Sequence, residues 1–186
     1  MAMLILVVGS GYVAYLTSQA INQSVSSSHL EIAKRADAII AGSLKSLLEA
    51  VRNTALDIGR ENKDPKIALL ALLKDYPEFA RASFVNAEGA ETARADKFSV
   101  SVYEKFIDYG STEPFLKSLE GDRYISPVFF SEQGEPLISI ATPAFSLEGR
   151  FRGMIIAELN LRFMQNLMAE VTFNRRGKVY VVASNH

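Results

Sequence analysis

The chain has 186 residues, of which 48% are hydrophobic and 22% are charged, so it is long and apolar enough to fold around its own core. Its 20 basic residues balance 21 acidic ones, and no basic stripe runs along the sequence, so a nucleic-acid partner is excluded. The absence of cysteine excludes disulfides, thiol nucleophiles and thiolate metal sites. The two histidines, His29 and His186, lie outside the central domain, which therefore holds neither a Ser-His-Asp triad nor a histidine-rich metal site.

The first segment, residues 1–20, is mostly apolar, and no charged residue occurs before Glu31. As a helix it would cross the roughly 30 Å hydrocarbon core of a membrane, so it is predicted to be a transmembrane anchor. Two alternatives stay open. The small residues around Ser18-Gln19-Ala20 are also typical of a cleaved signal peptide, and a buried helix of a soluble protein has a similar composition. The first two readings place the rest of the chain outside the cytoplasm.

Residues 21–62 are predicted to form one long signalling or stalk helix. No proline occurs between Gln23 and Arg60, and apolar residues recur there every three or four positions. A helix of this length exceeds the usual globular size. We expect its lower part to pair with a second copy of the chain in a homodimer, and its upper part to lie on a sheet.

The region 63–160 is predicted to alternate short helices with antiparallel strands. The expected elements are a helix at Lys66–Asp75, strands at Ala82–Asn86 and Glu91–Arg94, a helix at Thr112–Leu119 capped by its threonine, and strands at Tyr124–Phe130, Pro136–Ala144 and Phe151–Asn160. The last strand is apolar on both faces, so we expect the long helix to cover one face of the sheet and the segment Tyr103–Gly121 to cover the other. A cover made of loops over a sheet favours a ligand pocket.

Residues 161–186 begin with a predicted helix at Leu161–Glu170 and end with a single apolar strand at Val179–Ala183. A strand without a partner does not make a stable domain end. This part is therefore expected to be a linker helix and the first strand of a second module.

Three strings in this order are similar to those of a known family: Ser126-Pro127-Val128-Phe129-Phe130, Glu135-Pro136-Leu137-Ile138-Ser139-Ile140-Ala141, and Ala157-Glu158-Leu159-Asn160-Leu161-Arg162-Phe163. With the order of the elements, they resemble the double-Cache family of extracytoplasmic sensors. The resemblance covers residues 28–186. It implies an α+β fold, in which a long N-terminal helix packs on a PAS-like antiparallel sheet, with residues 63–160 as the membrane-distal module.

The same resemblance implies the sensing part of a bacterial receptor in the inner membrane, with residues after about 21 in the periplasm or outside the cell. Ligand binding in the distal module would be relayed through helices to a cytoplasmic output, such as a two-component kinase or a chemotaxis region. The amino-acid-binding subgroup uses a pattern that contains tryptophan. This chain has no tryptophan, so that specificity is not carried over.

The candidate ligand-binding residues come from the expected cover and the strands that face it: Tyr103, Tyr109, Phe115, Arg123, Tyr124, Ser139 and Thr142. One arginine among hydroxyls and aromatic rings suits a carboxylate or another small anion. The aromatic residues are equally compatible with a plain core, and Arg123 with a surface pair to Glu120 or Asp122. Glu158 has two readings as well, an exposed acid at the end of a strand or an internal partner for a cationic ligand.

No pair of acidic residues has a recognisable catalytic spacing, and no glycine-rich phosphate loop follows a strand. The sequence therefore predicts no catalytic residue, no metal site, no cofactor and no enzymatic activity. Two other functions remain open: a dimerisation or spacer module that binds no ligand, and an anchored periplasmic hydrolase whose carboxylates only the fold would bring together.

Overall fold

The computed structural model describes residues 34–60, 63–97, 106–164 and Leu167. Residues Gly42–Asn166 form one compact unit, and residues 34–41 and Leu167 belong to a second unit. The expectations for residues 1–20, for Tyr103 and for the strand Val179–Ala183 lie outside the described residues, as does most of the helix expected at Leu161–Glu170. None of the helices within the described ranges has the length and apolar character needed to span a membrane.

Three helices are described: α1 over 34–60, α2 over Pro65–Asp75 and α3 over Glu113–Leu119. Helix α2 begins where the Asp64 carboxylate accepts a hydrogen bond from the amide of Ile67 at 3.2 Å. Helix α3 begins differently from the prediction, because Thr112 makes no side-chain cap. Its hydroxyl instead donates to the carbonyl of Tyr109 at 2.7 Å, which fixes the turn that leads into the helix.

One antiparallel sheet contains every named strand: β1 (Phe79–Asn86), β2 (Glu91–Asp96), β3 (Tyr124–Ile125), β4 (Phe129–Phe130), β5 (Pro136–Phe145) and β6 (Phe151–Asn160). The order across the sheet is β2-β1-β6-β5-β3, and β4 also pairs with β5. The predicted α+β fold of a long helix on an antiparallel sheet is confirmed.

One side of the sheet, the helix face, is covered by α1 and α2 and forms the main core. Alternate strand residues such as Ala82, Ala157 and Leu159 pack there against Val51 and Leu69 of the two helices. The stripe predicted along the long helix is confirmed within its described part, since Leu47, Val51, Ala55 and Ile58 are all buried. Gly59 allows the end of α1 to approach β5, because a Cβ there would lie 2.4 Å from the carbonyl oxygen of Phe145.

The opposite side, the site face, is only partly covered by apolar side chains. Phe115 of α3 packs with Val85, Ala141 and Met154 at one end of this face, and Tyr109 joins them from the preceding loop. Within the described residues, the apolar cover stops towards the C-terminal end of β6, and the strands carry polar and charged side chains there instead.

The strand predicted at Tyr124–Phe130 is broken into β3 and β4. Pro127 has no amide hydrogen to give to the ladder. The neighbouring Ser126 amide donates to the carbonyl of Ser139 at 2.9 Å, and the Ser126 hydroxyl accepts from the Ser139 amide at 2.8 Å. Strands β1 and β2 are longer than predicted, and the additions include Arg81 in β1 and Asp96 in β2.

Candidate functional site

Three charged side chains lie side by side on three neighbouring strands of the site face. Arg81 of β1 is paired in register with Asp96 of β2 on one side and with Glu158 of β6 on the other. The Arg81 Nε donates to the Asp96 carboxylate at 2.9 Å, whereas the nearest contact between Arg81 and Glu158 is 3.8 Å. Arg81 is therefore mainly paired with Asp96, and among the described residues Glu158 has only the long ion pair with Arg81.

These side chains line a cavity of about 370 Å³. Its walls are Ala80, Arg81, Asp96, Ser131, Gln133, Glu135, Leu137 and Glu158. The strands β1, β2 and β6 form the floor, and the turn between β4 and β5 forms a polar rim. A volume of this size falls within the range of small-molecule sites.

The fourth charged residue of the cavity, Glu135, already has partners. Its carboxylate accepts a hydrogen bond from the Asn160 amide nitrogen at 2.8 Å and pairs with Arg162 at 3.1 Å. These contacts tie the β4–β5 turn to the end of β6, so they shape the rim. Glu135 is for that reason a weaker candidate than Glu158 for contact with a ligand.

A second acid–base pair lies deeper under the cover. The Glu91 side chain is 0% exposed. Two nitrogens of Arg94 donate hydrogen bonds to its carboxylate, Nε to Oε1 at 2.7 Å and Nη2 to Oε2. The Ser83 hydroxyl and the Ile107 amide also donate to Glu91, the latter at 2.9 Å. Burial alone would raise the pKa of Glu91, but these hydrogen bonds from Arg94, Ser83 and Ile107 lower it below its usual value, so the group stays ionised.

A register shift in the β1–β2 ladder places Glu91 on this face. The pairing slips between Phe84 and Val85, so that Val85 opposes Glu91 while Phe84 opposes Ala93. The extra residue, Thr92, is the bulge. Strict alternation along β2 would have turned Glu91 to the side of Ala93, away from Arg94.

We name these five groups the charged row: Glu91, Arg94, Asp96, Arg81 and Glu158. The row holds three carboxylates and two guanidinium groups. Among the described residues, Glu91 and Asp96 have short contacts with these guanidinium groups, whereas Glu158 has its nearest one, to Arg81, at 3.8 Å. Burial raises the pKa of Glu158 above its usual value, and the Arg81 charge opposes this only in part. A cation placed in the cavity would compensate this carboxylate.

The residues predicted from sequence to bind ligand fall into separate places. Tyr109, Phe115 and Tyr124 do come together, but in the apolar cluster of the site face. Arg123 is exposed on the loop before β3, next to a surface where Lys117 pairs with Glu120 at 3.1 Å.

The two strand hydroxyls lie on opposite faces of β5. Ser139 is opposite Glu158 in the ladder and shares its face, whereas Thr142 is opposite Ile155 and is buried against the helix face. The Thr142 Oγ1 has no hydrogen-bond partner among the described residues. None of the predicted residues within the described ranges lines the 370 Å³ cavity.

The sequence reasoning missed Arg81 and Asp96. Each of them lies one or two residues beyond the end of the strand that the sequence predicted. Arg81 is two positions from Ser83 and Asp96 is two positions from Arg94, so each continues the alternation of its strand. The sequence signal that could have identified Arg81 and Asp96 was the recurrence of polar residues at every second position of otherwise apolar strands. The Glu158 side chain is 26% exposed, so it is half-buried and not the fully exposed acid of the first reading, while its role as a partner for a cationic ligand stays a prediction.

Within the parts of the chain that the structure describes, no group of three or more His, Cys, Asp or Glu side chains is arranged to hold a metal ion.

No protein-family model matches the sequence, and no curated protein resembles it significantly. Several solved structures are similar to this chain in fold. The sensory domain of the Campylobacter jejuni chemoreceptor Tlp3 superposes with a TM-score of 0.63 at 13% identity, over 75% of this chain and 62% of that one. The ligand-binding domain of the Pseudomonas aeruginosa amino acid chemoreceptor PctC, in complex with GABA, gives a TM-score of 0.58 at 15% identity, over 77% of this chain and 65% of that one.

An extracellular ligand binding receptor from Desulfohalobium retbaense gives a TM-score of 0.62 at 18% identity, over 77% of this chain but only 27% of that one. This chain thus spans less than two thirds of the length of each of these structures. The fold is that of Cache-type sensory domains of chemoreceptors, and the predicted resemblance is confirmed at the level of the fold.

Proposed function

We propose that this chain senses a small, positively charged organic molecule as the extracytoplasmic part of a membrane receptor. The observation that carries the proposal is the Glu158 carboxylate, which lies in a 370 Å³ cavity with no cationic contact shorter than 3.8 Å among the described residues. A ligand ammonium would supply the missing partner. Burial makes that contact stronger than it would be at an exposed site.

The rest of the cavity favours a ligand with a short polar or apolar tail. Ser131 and Gln133 offer hydrogen-bonding groups at the rim, and Leu137 contributes an apolar wall. The Tlp3 domain was solved in complex with L-valine and the PctC domain in complex with GABA, and both compounds carry an ammonium group. That chemistry supports an amine or amino acid as the class of ligand.

The sequence favoured a carboxylate or another small anion, and Arg81 keeps this as a second candidate. Arg81 gives its Nε to Asp96, yet the guanidinium group has further donors and lines the cavity. A zwitterion would use both charges. A ligand with a carboxylate alone would leave Glu158 unpaired and repelled.

Several expectations about the whole receptor are part of the proposal. Residues 1–20 would anchor the chain in the bacterial inner membrane, and residues after about 21 would lie outside the cytoplasm. The long helix would pair two copies of the chain and relay ligand binding to a cytoplasmic output. The similar structures are receptor sensory domains, and we infer that this chain likewise has no catalytic activity.

Three small compounds of the same carbon length separate the two ligand classes. Butylamine carries only the ammonium group, butyrate only the carboxylate, and GABA both. We expect butylamine and GABA to bind to the purified 186-residue chain in isothermal titration calorimetry and to raise its melting temperature, whereas butyrate does neither.

Replacing Glu158 with Gln removes the charge and keeps the shape. We expect Glu158→Gln to weaken butylamine binding by roughly 10- to 100-fold, the usual effect of losing a charge-assisted hydrogen bond. Arg123→Ala is the matched control outside the cavity and should leave binding within about 2-fold, the change expected for an exposed site. If butyrate binds and butylamine does not, the result would instead support an anionic ligand. If no member of a wider panel of amines, amino acids and carboxylates binds, the spacer module is favoured.

A further inference from the structure

We infer that the cavity takes a ligand with two positive charges, such as an alkyl diamine, whose first ammonium group pairs with Glu158 on the floor and whose second pairs with Glu135 on the rim. The inference rests on the proposed function and narrows its class of ligand. It assigns Glu135 a binding role in addition to the contacts by which this residue shapes the rim.

The first step of the argument is the placement of the two carboxylates. Glu158 and Asn160 are two positions apart on β6, so their side chains share the site face and their Cα atoms lie about 7 Å apart. Glu135 reaches this end of β6 from the β4–β5 turn, where its Oε2 accepts the hydrogen bond from Asn160 at 2.8 Å. The Glu158 Oε1 lies towards β1 instead, at 3.8 Å from Arg81. The two carboxylates therefore line the cavity from different sides.

Apolar side chains also line the cavity. Leu137 is opposite Asn160 in the β5–β6 ladder, and it forms part of the wall together with Ala80. The methylene groups of a ligand would pack against these side chains, whereas a polar group in the middle of the ligand would lose its water there. This arrangement favours a ligand with a charge at each end and a short hydrocarbon chain between the charges.

The Glu135 carboxylate can accept a further hydrogen bond. A carboxylate has about four acceptor positions, and among the described residues Glu135 uses one oxygen for Asn160 and the other for Arg162. The Arg162 side chain is 61% exposed, so solvent screens its pair with Glu135 and the pair contributes little to stability. A ligand ammonium that enters from the cavity side can therefore bind Glu135 beside Arg162 or in its place.

The β4–β5 turn holds Glu135 in position. The Ser131 amide donates to the Glu135 carbonyl at 2.9 Å, and the Ser131 hydroxyl accepts from the Glu135 amide at 3.1 Å. The backbone of Glu135 is thus fixed by the turn, and its side chain is fixed by Asn160. Carboxylates that are already in place need little further ordering when a ligand binds, so the second contact adds to affinity.

The test compares diaminobutane with butylamine, which have the same carbon chain and differ in the second ammonium group. Both amines of diaminobutane are charged at pH 7, as a lysine side chain is. We expect diaminobutane to bind the purified 186-residue chain about 5- to 20-fold more tightly than butylamine in isothermal titration calorimetry, the effect of one partly exposed hydrogen bond between charged groups. The equivalence of the two ends of diaminobutane would by itself give only about 2-fold.

Pentylamine is the matched ligand control, because it has a methyl group in place of the second ammonium group of diaminobutane. We expect pentylamine to bind within about 4-fold of butylamine, since it adds one methylene group that is only partly buried at the rim. If pentylamine binds as tightly as diaminobutane, the inference is wrong. This comparison uses the parent chain and does not depend on the folding of a variant.

Glu135→Gln removes the charge of the rim and keeps an oxygen that can accept from Asn160. We expect this variant to reduce the advantage of diaminobutane over butylamine to about 2-fold and to leave the affinity for butylamine within about 2-fold of the parent. Glu132→Gln is the matched control, because it removes the same charge from an exposed residue of the same turn that does not line the cavity. It should keep the ratio of the parent. An equal loss in both variants would mean a general attraction of the diamine to acidic residues, and would overturn the inference.

A purely structural role of Glu135 predicts a different result. A loosened turn would weaken butylamine and diaminobutane alike, and the ratio of their affinities would not change. A second readout is the carboxyl carbon of Glu135 in NMR, identified by comparison with Glu135→Gln. We expect its signal to shift when diaminobutane is added and to stay in place with butylamine, and an unchanged signal with diaminobutane would contradict the second contact.

The two proposals fail in different ways. If butylamine binds equally well to the parent and to Glu158→Gln, the proposed function is wrong. If Glu158→Gln loses butylamine binding but diaminobutane keeps its full advantage in Glu135→Gln, or has none in the parent, only the second charge of the ligand is wrong.

Discussion

The two faces of the sheet are made by alternate residues of the same strands, but they have opposite chemistry. On the helix face, α1 and α2 bury a continuous set of apolar side chains from both helices and four of the strands. On the site face, the described residues form a cluster of four buried apolar side chains, and the charged row lies beyond it. Residues Ile155 and Met154 are adjacent in sequence and equally buried at 0% exposure, and yet they belong to different clusters.

This difference separates stability from recognition. The helix face satisfies the hydrophobic requirement of the fold by itself, because its strand positions are filled mostly by Ala, Ile and Leu. The site face can therefore carry buried charges that a small core could not tolerate. We expect a residue such as Glu158 to lower the stability of the free domain, and under the proposed function a ligand that pairs with it would restore that stability.

The largest expected effect comes from truncating the two neighbours Ile155 and Met154. Ile155→Ala should lower the free energy of unfolding by about 2–5 kcal/mol, because it opens a cavity between the sheet and two packed helices. Met154→Ala should cost less, towards about 2 kcal/mol, because its cluster is closed by a loop and a short helix that can move inwards. Urea denaturation of both variants measures the difference. Equal losses would contradict the idea that the helix face is the main source of stability.

A smaller effect of opposite sign is expected for Glu158→Gln. We expect the free energy of unfolding of this variant to be about 0.5–2 kcal/mol higher than that of the parent at pH 7, because the substitution removes a half-buried charge that has no close partner among the described residues. Because the pKa of Glu158 is raised in the fold, the parent loses stability as the pH rises from the unfolded to the folded pKa of this group.

The gain of Glu158→Gln should accordingly appear over that pH range and vanish below it. Chemical denaturation at a series of pH values checks this, with Glu148→Gln on an exposed turn as the control. A gain that does not change with pH would mean that Glu158 titrates normally and is well solvated.

The smallest effect concerns the hydroxyl of Thr142 on the helix face. Thr142→Val keeps the shape and removes a buried Oγ1 that has no hydrogen-bond partner among the described residues. We expect a gain of about 1 kcal/mol in the free energy of unfolding and no change in butylamine binding. Ser139→Ala, on the other face of the same strand, is the control for stability. Weaker ligand binding in Thr142→Val would restore Thr142 as a ligand-binding residue.

The elements that sequence predicted best are those with a local signal. Strand β6 was predicted with its observed ends, Phe151 and Asn160, because a glycine turn precedes it and apolar residues occupy both parities. Helix α3 was predicted because Pro114 marks a first turn. The break at Pro127 is also a local effect, but the apolar residues on either side of it concealed the interruption.

The site was harder to predict because it depends on register between distant strands. Aromatic residues in the expected cover pointed to a pocket around Phe115, and Tyr109, Phe115 and Tyr124 do pack together on the site face, away from the 370 Å³ cavity. The cavity depends on Arg81 facing both Asp96 and Glu158, and residues 81, 96 and 158 are brought together only by the order β2-β1-β6. The bulge that turns Glu91 towards Arg94 likewise has no signal in the local sequence.

The two outer edges of the sheet affect how readily copies of the domain aggregate at high local concentration. One edge is interrupted at Pro127 into two strands of two residues, and Ser126 uses its hydroxyl to occupy an amide of β5. The other edge is met by the bridge between Ala90 and Asp108 and by Lys66, which donates to the carbonyl of Arg94. Among the described residues, neither edge presents a long uninterrupted row of vacant peptide groups to a neighbouring molecule. We therefore expect crowded copies of the domain to pair poorly through these edges, while the strongly apolar strand β6 lies between β1 and β5 in the interior of the sheet.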